Sequence, residues 1–396
     1  MFALALTALS YIAPFLFVLL LVITVHEFGH FSAARLFGVA IERFSIGFGR
    51  AIFSRRDRRG VEWRIGWMPI GGYVMFAGDE NAASVPDQND LNAMRREIVA
   101  REGPGAERKY LPFKPLWQRA VVAAAGPAAN FLLAVTIFSV LFMTFGEGTM
   151  RSKVGKVFPG TPAAHAGFQA GDLITGVDGH PINDFGQLHR IVALRAGVPL
   201  TFTVQRGASL IELHATPVRA THADDGALGI ESTGNPADFV HVRYGPVAAV
   251  GAGVGETWDI LSTTVYYLGR LVQGQESPRQ LTSFIGIAQV SHMAVVEGVR
   301  GAPDLGAQVV GGLVALCSLV AFISVSIGFA NLMPIPVLDG GHLLFYAYEA
   351  IARRPVASAV QSISYRVGLA LLIGLMLFAT TNDLQRIHVF RFLGGS

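Results

Sequence analysis

The sequence predicts an α-helical membrane protein with about four transmembrane helices, a membrane-associated β-hairpin loop and an inserted α+β module. Three observations predict this. Of 396 residues, 52% are hydrophobic and only 15% are charged, whereas a soluble domain carries about 25% charge. Four apolar runs approach or exceed the roughly 20 residues that a spanning helix needs. Between the second and third of these lies a polar block, 151–220, patterned as short strands and turns. A net charge of +3 and scattered arginines give no footprint for nucleic acid. The single cysteine, Cys317, excludes an internal disulfide and any Cys-rich zinc module.

Met1–Val25 has no charged residue, and the run through Leu36 is read as the first span (1–36). A cleaved signal peptide is the rival for this segment, but no Lys or Arg precedes Arg35 to make its basic leader. Ala120–Gly146 is the second span. Gly306–Leu338 is the third, within a segment taken as 306–341. Val367–Thr381 is short for a fourth and needs local thinning of the bilayer or the addition of Ser362–Tyr365; it lies in the final segment, 342–396. Basic residues set orientation. Eight arginines follow span one between Arg35 and Arg64, and none precedes it. Five basic residues precede span two and three follow it. The bias places 35–119 and 340–366 in the cytoplasm, and the N-terminus and 147–305 outside.

The loop 37–119 opens with an alternation in which Val61, Trp63, Ile65 and Trp67 share one face. Pro69 and Gly71-Gly72 then read as a turn, and Tyr73–Phe76 as the returning strand. Four aromatic residues in so short a stretch favour the membrane interface over a solvated hairpin. Residues 79–112 are polar and charged, and read as a flexible insertion. In 151–220, strands are expected at Lys153–Phe158, Gly171–Ile174, Leu200–Gln205 and Leu210–Ala215, with helices at Ala163–Ala166 and Phe185–Leu194. In the following region, 221–305, Val250, Val254, Trp258, Leu261, Val265, Leu268 and Val272 form one apolar helical stripe. That stripe suits either the outer membrane surface or packing against the module.

His26-Glu27-Phe28-Gly29-His30 matches H-E-x-x-H. On a helix the two imidazoles share a face and reach one metal ion, with Glu27 beside it as a base toward water. Zinc suits two imidazoles and a carboxylate, with one position left open. The pattern alone would arise by chance in roughly one chain in a hundred of this length. Its place at the end of an apolar span adds weight, because ionisable groups there are expensive. Asp339 is the one acid between Asp304 and Glu349, and it follows more than thirty uncharged residues. Spans one and three run in the same direction, so their C-terminal ends, with His26, His30 and Asp339, meet at one membrane face.

These motifs together resemble the site-2 proteases, and more narrowly the bacterial regulator of sigma-E protease type. The likeness rests on H-E-F-G-H, on G-P-A-A-N at Gly126–Asn130, and on N-L-M-P-I-P-V-L-D-G-G from Asn331. It also rests on Pro159-Gly160-Thr161-Pro162-Ala163 with Gly171-Asp172-Leu173-Ile174 and Val177-Asp178-Gly179, which is similar to a PDZ domain. A plain spacer domain is the alternative for that block. The resemblance implies that His26, His30 and Asp339 bind Zn2+ and that Glu27 is the catalytic base. It implies substrate-binding roles for Asn331, Asn130 and the strand Gly71, Gly72, Tyr73 and Val74. It further implies a multi-pass protein of the bacterial inner membrane that cuts single-span substrates. Those would be anti-sigma factors or remnant signal peptides, with a possible peptide ligand for the module outside. The best-known enterobacterial member carries two tandem PDZ domains, whereas one is legible here. A catalytically silent scaffold and a zinc transporter remain as rivals.

Overall fold

A computed structural model describes residues 2–78, 88–182, 184–195, 197–218, 228–235, 238–274, 283–300 and 304–393. It separates into two compact units, Met1–Ser139 with Val250–Ser396, and Val140–Ala249. Among the described residues, four helices are long and apolar enough to cross a membrane. They belong to α1 (Phe2–Leu36), α3 (Leu116–Thr144), α8 (Leu305–Leu332) and α10 (Ser358–Leu393).

In the first unit, α1 and α8 meet through Val18, Val22, Leu319, Val320 and Ile323. Small residues set the closest approaches, as expected where lipid gives no hydrophobic drive between helices. A Cβ on Gly29 of α1 would stand 2.3 Å from the Ala125 carbonyl oxygen of α3. The fourth span begins at Ser358, so Ser362–Tyr365 does join it and no thinning is needed. The third helix, by contrast, stops at Leu332, short of the expected 338. Pro334 and Pro336 lack the N–H that a continuing helix requires, and a tight turn follows. Cβ atoms on Gly340 and Gly341 would fall 2.3–2.4 Å from carbonyl oxygens of that turn. A new helix, α9 (Asp339–Ala352), then starts on Asp339 itself.

Two other expectations are corrected. Residues 88–102 of the supposed flexible insertion form helix α2 (Gln88–Glu102), and short 3-10 turns follow at 106–113; residues 79–87 lie outside the described residues. The hairpin turn is not at Gly71-Gly72. Strand β1 (Ile41–Arg56) turns at 57–60, where Asp57 accepts backbone hydrogen bonds from Arg59 and Val61. The chain returns as one bent strand, β2 (Glu62–Phe76). Residues 62–65 face 53–56 and also lie beside 43–46, which in turn face 72–76. The bent pair therefore makes a small sheet with 72–76 at its edge. In the region following the module, the stripe of helix α6 (Pro246–Val272) faces outward, with Val250, Val254, Trp258, Val265 and Val272 exposed. The buried face carries Ala249, Gly253 and Thr257, because only small residues fit where Gly253 meets Val135 and Ser139 of α3. A further helix in this region, α7 (Phe284–Val299), packs against α8 and α1. Its first turn is held by the buried Asp383 of α10, which accepts from Ser283 N, Ser283 Oγ and Gly286 N at 2.7, 2.6 and 3.0 Å.

The second unit is α+β. After the short strands β3 (Glu147–Met150) and β4 (Val154–Val157), strands β5 (Leu173–Val177), β6 (His180–Pro181), β7 (Leu200–Arg206) and β8 (Ser209–Ala215) form a sheet in the order β6-β5-β7-β8. Helix α4 (Pro162–Ala166) is capped by Thr161, and α5 (Phe185–Leu194) by Asp184. Val154, Ile174, Leu188, Phe202 and Val204 fill the core. Asp172, almost fully buried, is gripped by Arg206 through both carboxylate oxygens at 2.7 and 2.8 Å and accepts from Gln169 N. Burial opposes the charge on Asp172, but these hydrogen bonds outweigh it and hold its pKa below the usual carboxylate value.

Candidate active site

His26 and His30 lie one turn apart on α1, and their Nε2 atoms are 3.2 Å from each other. Asp339 Oδ2, at the start of α9, is 3.1 Å from the first Nε2 and 3.4 Å from the second. Among the described residues these three form the one cluster of side chains able to hold a metal ion. The Asp339 oxygen is buried and accepts no hydrogen bond. Its place at the first turn of α9 suits a negative charge, but leaves the oxygen in need of a cation. A tetrahedral ion with bonds of about 2.0–2.2 Å sets its ligand atoms about 3.3 Å apart, as zinc does. The triangle of 3.1, 3.2 and 3.4 Å fits that spacing.

Helix α3 seats both rings. His30 Nδ1 is 2.8 Å from the Val122 carbonyl, so it must donate there, and its Nε2 is left as a bare lone pair. Gly126, one turn along, leaves room for the imidazoles: a Cβ would come within 2.3 Å of His30 Nε2 and 2.8 Å of His26 Cε1. Asn130, a further turn along and 0% exposed, places its side-chain amide 3.2 Å from His26 Nδ1. Residues 122, 126 and 130 share one helical face, and they meet 30 and 26 in antiparallel order. Ser324 and Gly328 of α8 close the far side of Asn130.

Glu27 sits on α1 between the histidines and meets the sheet edge. It accepts a hydrogen bond from the Val74 backbone, and a Cβ on Gly72 would stand 3.1 Å from its Cγ. Gly71 adopts φ 106° with the Phe48 ring where its side chain would be, and Tyr73 stacks on Phe48. The edge segment 71–74 is thus brought to Glu27. Asn331 is half-buried near the end of α8, and its amide donates to the Ile327 carbonyl of its own helix rather than to the His–Asp cluster. Sequence reasoning missed His342, one turn after Asp339, whose Nε2 lies 2.8 Å from the buried Tyr365 hydroxyl. The i, i+3 spacing from Asp339 was the available signal. It also missed Val122, which acts through its carbonyl and leaves no trace in residue type.

A carboxylate placed to accept a proton from water, two imidazoles whose Nε2 atoms converge, a second carboxylate and a strand edge beside them are the parts of a metal-assisted peptide hydrolase. The model of Peptidase family M50 matches residues 14–375. Metalloprotease MmpA of Caulobacter vibrioides is 49% identical over 387 residues, 96% of each chain. A protein of Agrobacterium fabrum named as a zinc metalloprotease is 39% identical over 385 residues, again 96% of each. One of Rhizobium meliloti with the same kind of name is 40% identical over 392 residues, 97% of this chain and 99% of the other.

Proposed function

Since the chain belongs to peptidase family M50, the site-2 proteases, and is a zinc metalloprotease with helices long and apolar enough to cross a membrane, we propose that it cuts single-span membrane proteins within or beside their transmembrane segment. The observation that carries this reading is the His26–His30–Asp339 triangle at the end of an apolar helix, with Glu27 alongside.

His26, His30 and Asp339 would hold the zinc through Nε2, Nε2 and a carboxylate oxygen. When bound, zinc supplies a positive charge that polarises the scissile carbonyl and acidifies the attacking water. Glu27 takes the proton of that water onto its carboxylate, held in place by the Val74 N–H. It then gives the proton to the departing amine nitrogen as the C–N bond breaks, so one peptide and one water become a carboxylic acid and an amine. A helical substrate hides its carbonyls in i→i−4 bonds, so the segment must first unwind. The edge at Gly71, Gly72, Tyr73 and Val74 is the natural place for it to add as a strand. Asn331 is assigned to the substrate chain near the cut.

The β1–β2 loop dips into the membrane interface. Apolar side chains exposed along its strands, Ile52, Phe53, Ile65 and Trp67, support this. Unit two is read as a single PDZ domain with a possible peptide ligand. The arginine bias supports an inner-membrane topology with the zinc site toward the cytoplasm and this domain in the periplasm. By the resemblance of its motifs, the substrates are anti-sigma factors already cut outside, and remnant signal peptides. A transporter would carry ionisable sites along a path, whereas the described residues offer one metal cluster.

The test is cleavage of a single-span reporter by the purified protein in liposomes. Glu27→Gln is expected to lower the rate by about 10²–10⁴-fold while zinc stays bound. Undiminished cleavage would rule out the mechanism.

A further inference from the structure

We propose that Asn130 is the positioning residue for His26: its side-chain carbonyl accepts the Nδ1–H of that imidazole and keeps Nε2 bare toward the metal. This assigns Asn130 to the metal site rather than to substrate, and it rests on the zinc reading above.

The argument starts from burial. Asn130 is 0% exposed and His26 is 7% exposed, so neither has room for a substrate chain between it and the other. The contact from the carboxamide to Nδ1 is 3.2 Å, and among the described residues the amide has no other side-chain partner, its oxygen being buried without one. The two ends of a carboxamide exchange by rotation about its last bond, so the chemistry of the ring decides which end faces Nδ1. A neutral imidazole carries one N–H. If the amide nitrogen donated to Nδ1, the proton would sit on Nε2 and point into the cluster, 3.1 Å from Asp339 Oδ2. His26 would then have no lone pair for a cation. With the oxygen facing Nδ1, the ring donates outward and Nε2 is free.

The neighbouring histidine already follows that rule. His30 Nδ1 donates to the Val122 carbonyl, which lies two helical turns from Asn130 on the same face of α3. The two rings therefore have one acceptor each, a backbone oxygen and a side-chain oxygen, with Gly126 between them making room. Ligand histidines are commonly oriented by an acceptor of this kind, and losing it costs 10–100-fold in metal affinity. The backbone of Asn130 is fixed as well, since its carbonyl accepts from the buried Ser324 hydroxyl at 2.9 Å.

The experiment measures zinc affinity of the full-length protein by competition with a chelator, for wild type, Asn130→Asp and Asn130→Leu. Leucine keeps the volume but removes the acceptor, and is expected to weaken zinc by about 10–100-fold. Aspartate keeps an acceptor and is expected to stay within a few-fold of wild type. Equal affinity for the leucine variant, or equal loss in both, would overturn the assignment. A second measurement needs no substitution. In metal-free wild-type protein, 15N shifts of labelled histidine should show His26 protonated on Nδ1, and protonation on Nε2 would overturn it too. Wild-type protein that fails to bind zinc at all would instead sink the reading on which this one rests.

Discussion

Gly126 shows how little of a candidate metal site is written in the residues that would hold the ion. The H-E-x-x-H spacing reveals two imidazoles on one face, and Asp339 reveals itself as a lone acid after a long apolar run. Neither says what holds the rings. That task falls to a carbonyl, an absent side chain and a buried amide on α3, of which the carbonyl leaves no trace in residue type. Gly126→Ala places a methyl group 2.3 Å from His30 Nε2, and backbone and rings cannot both stay where they are. The variant is expected to fold, since Ala favours helix over Gly, yet to hold zinc at least 10-fold more weakly, in line with losses seen when supporting groups are disturbed. Chelator competition beside a thermal melt checks both halves. Wild-type affinity would mean that the rings sit elsewhere. Tyr365 escaped sequence reading for a related reason: its pairing with His342 joins two helices, and spacing within one helix cannot disclose it.

At the scale of elements, the errors of reading have a common cause. Glycines and prolines read locally as turns, although some mark close contact instead. Gly71-Gly72 does not reverse the chain. Those positions lack side chains because the Phe48 ring and Glu27 occupy the space. On α6 the apolar stripe was legible but its direction was not, since the tight face is the one lined by Ala249, Gly253 and Thr257. Periodicity reports that a helix has two faces, and in a membrane the apolar one need not be the buried one. Helix α7 was overlooked, and its start depends on a carboxylate a hundred residues away. Asp383→Ala strips the three hydrogen bonds that hold Ser283 and Gly286. A cost of about 2 kcal/mol is expected, from a lost cap and buried donors left unpaired. A lower melting temperature in detergent, with zinc still bound, is the result that checks it; an unchanged melt would remove Asp383 from the account of α7.

At the scale of the whole molecule, the four described helices long and apolar enough to cross a membrane were legible because membrane helices must be long, apolar and nearly free of charge. The strands and helices of 151–220 were legible because alternation and turn residues are local signals. What the chain leaves unwritten is long-range pairing, such as the grip of Arg206 on Asp172 that ties β7 to the turn before β5. That pair gives the module a distinct acid response. The pKa of Asp172 lies lower in the folded state than in the unfolded chain, so its stabilisation is complete above the unfolded value of about 4. It fades as pH falls below that toward the folded value. Isolated 140–249 should therefore melt at a lower temperature as pH drops through this window. Asp172→Asn should be less stable at neutral pH and show a flatter dependence. A parallel dependence in both would remove Asp172 as the cause.

The central claim is that one zinc held by His26, His30 and Asp339 does the chemistry. Metal content of the purified wild-type protein beside Asp339→Ala, with reporter cleavage measured on the same samples, tests it most directly. The account predicts stoichiometric zinc and cleavage in the wild type, and loss of both in the variant while its helical content is retained. An Asp339→Ala protein that keeps its zinc and still cuts would contradict it.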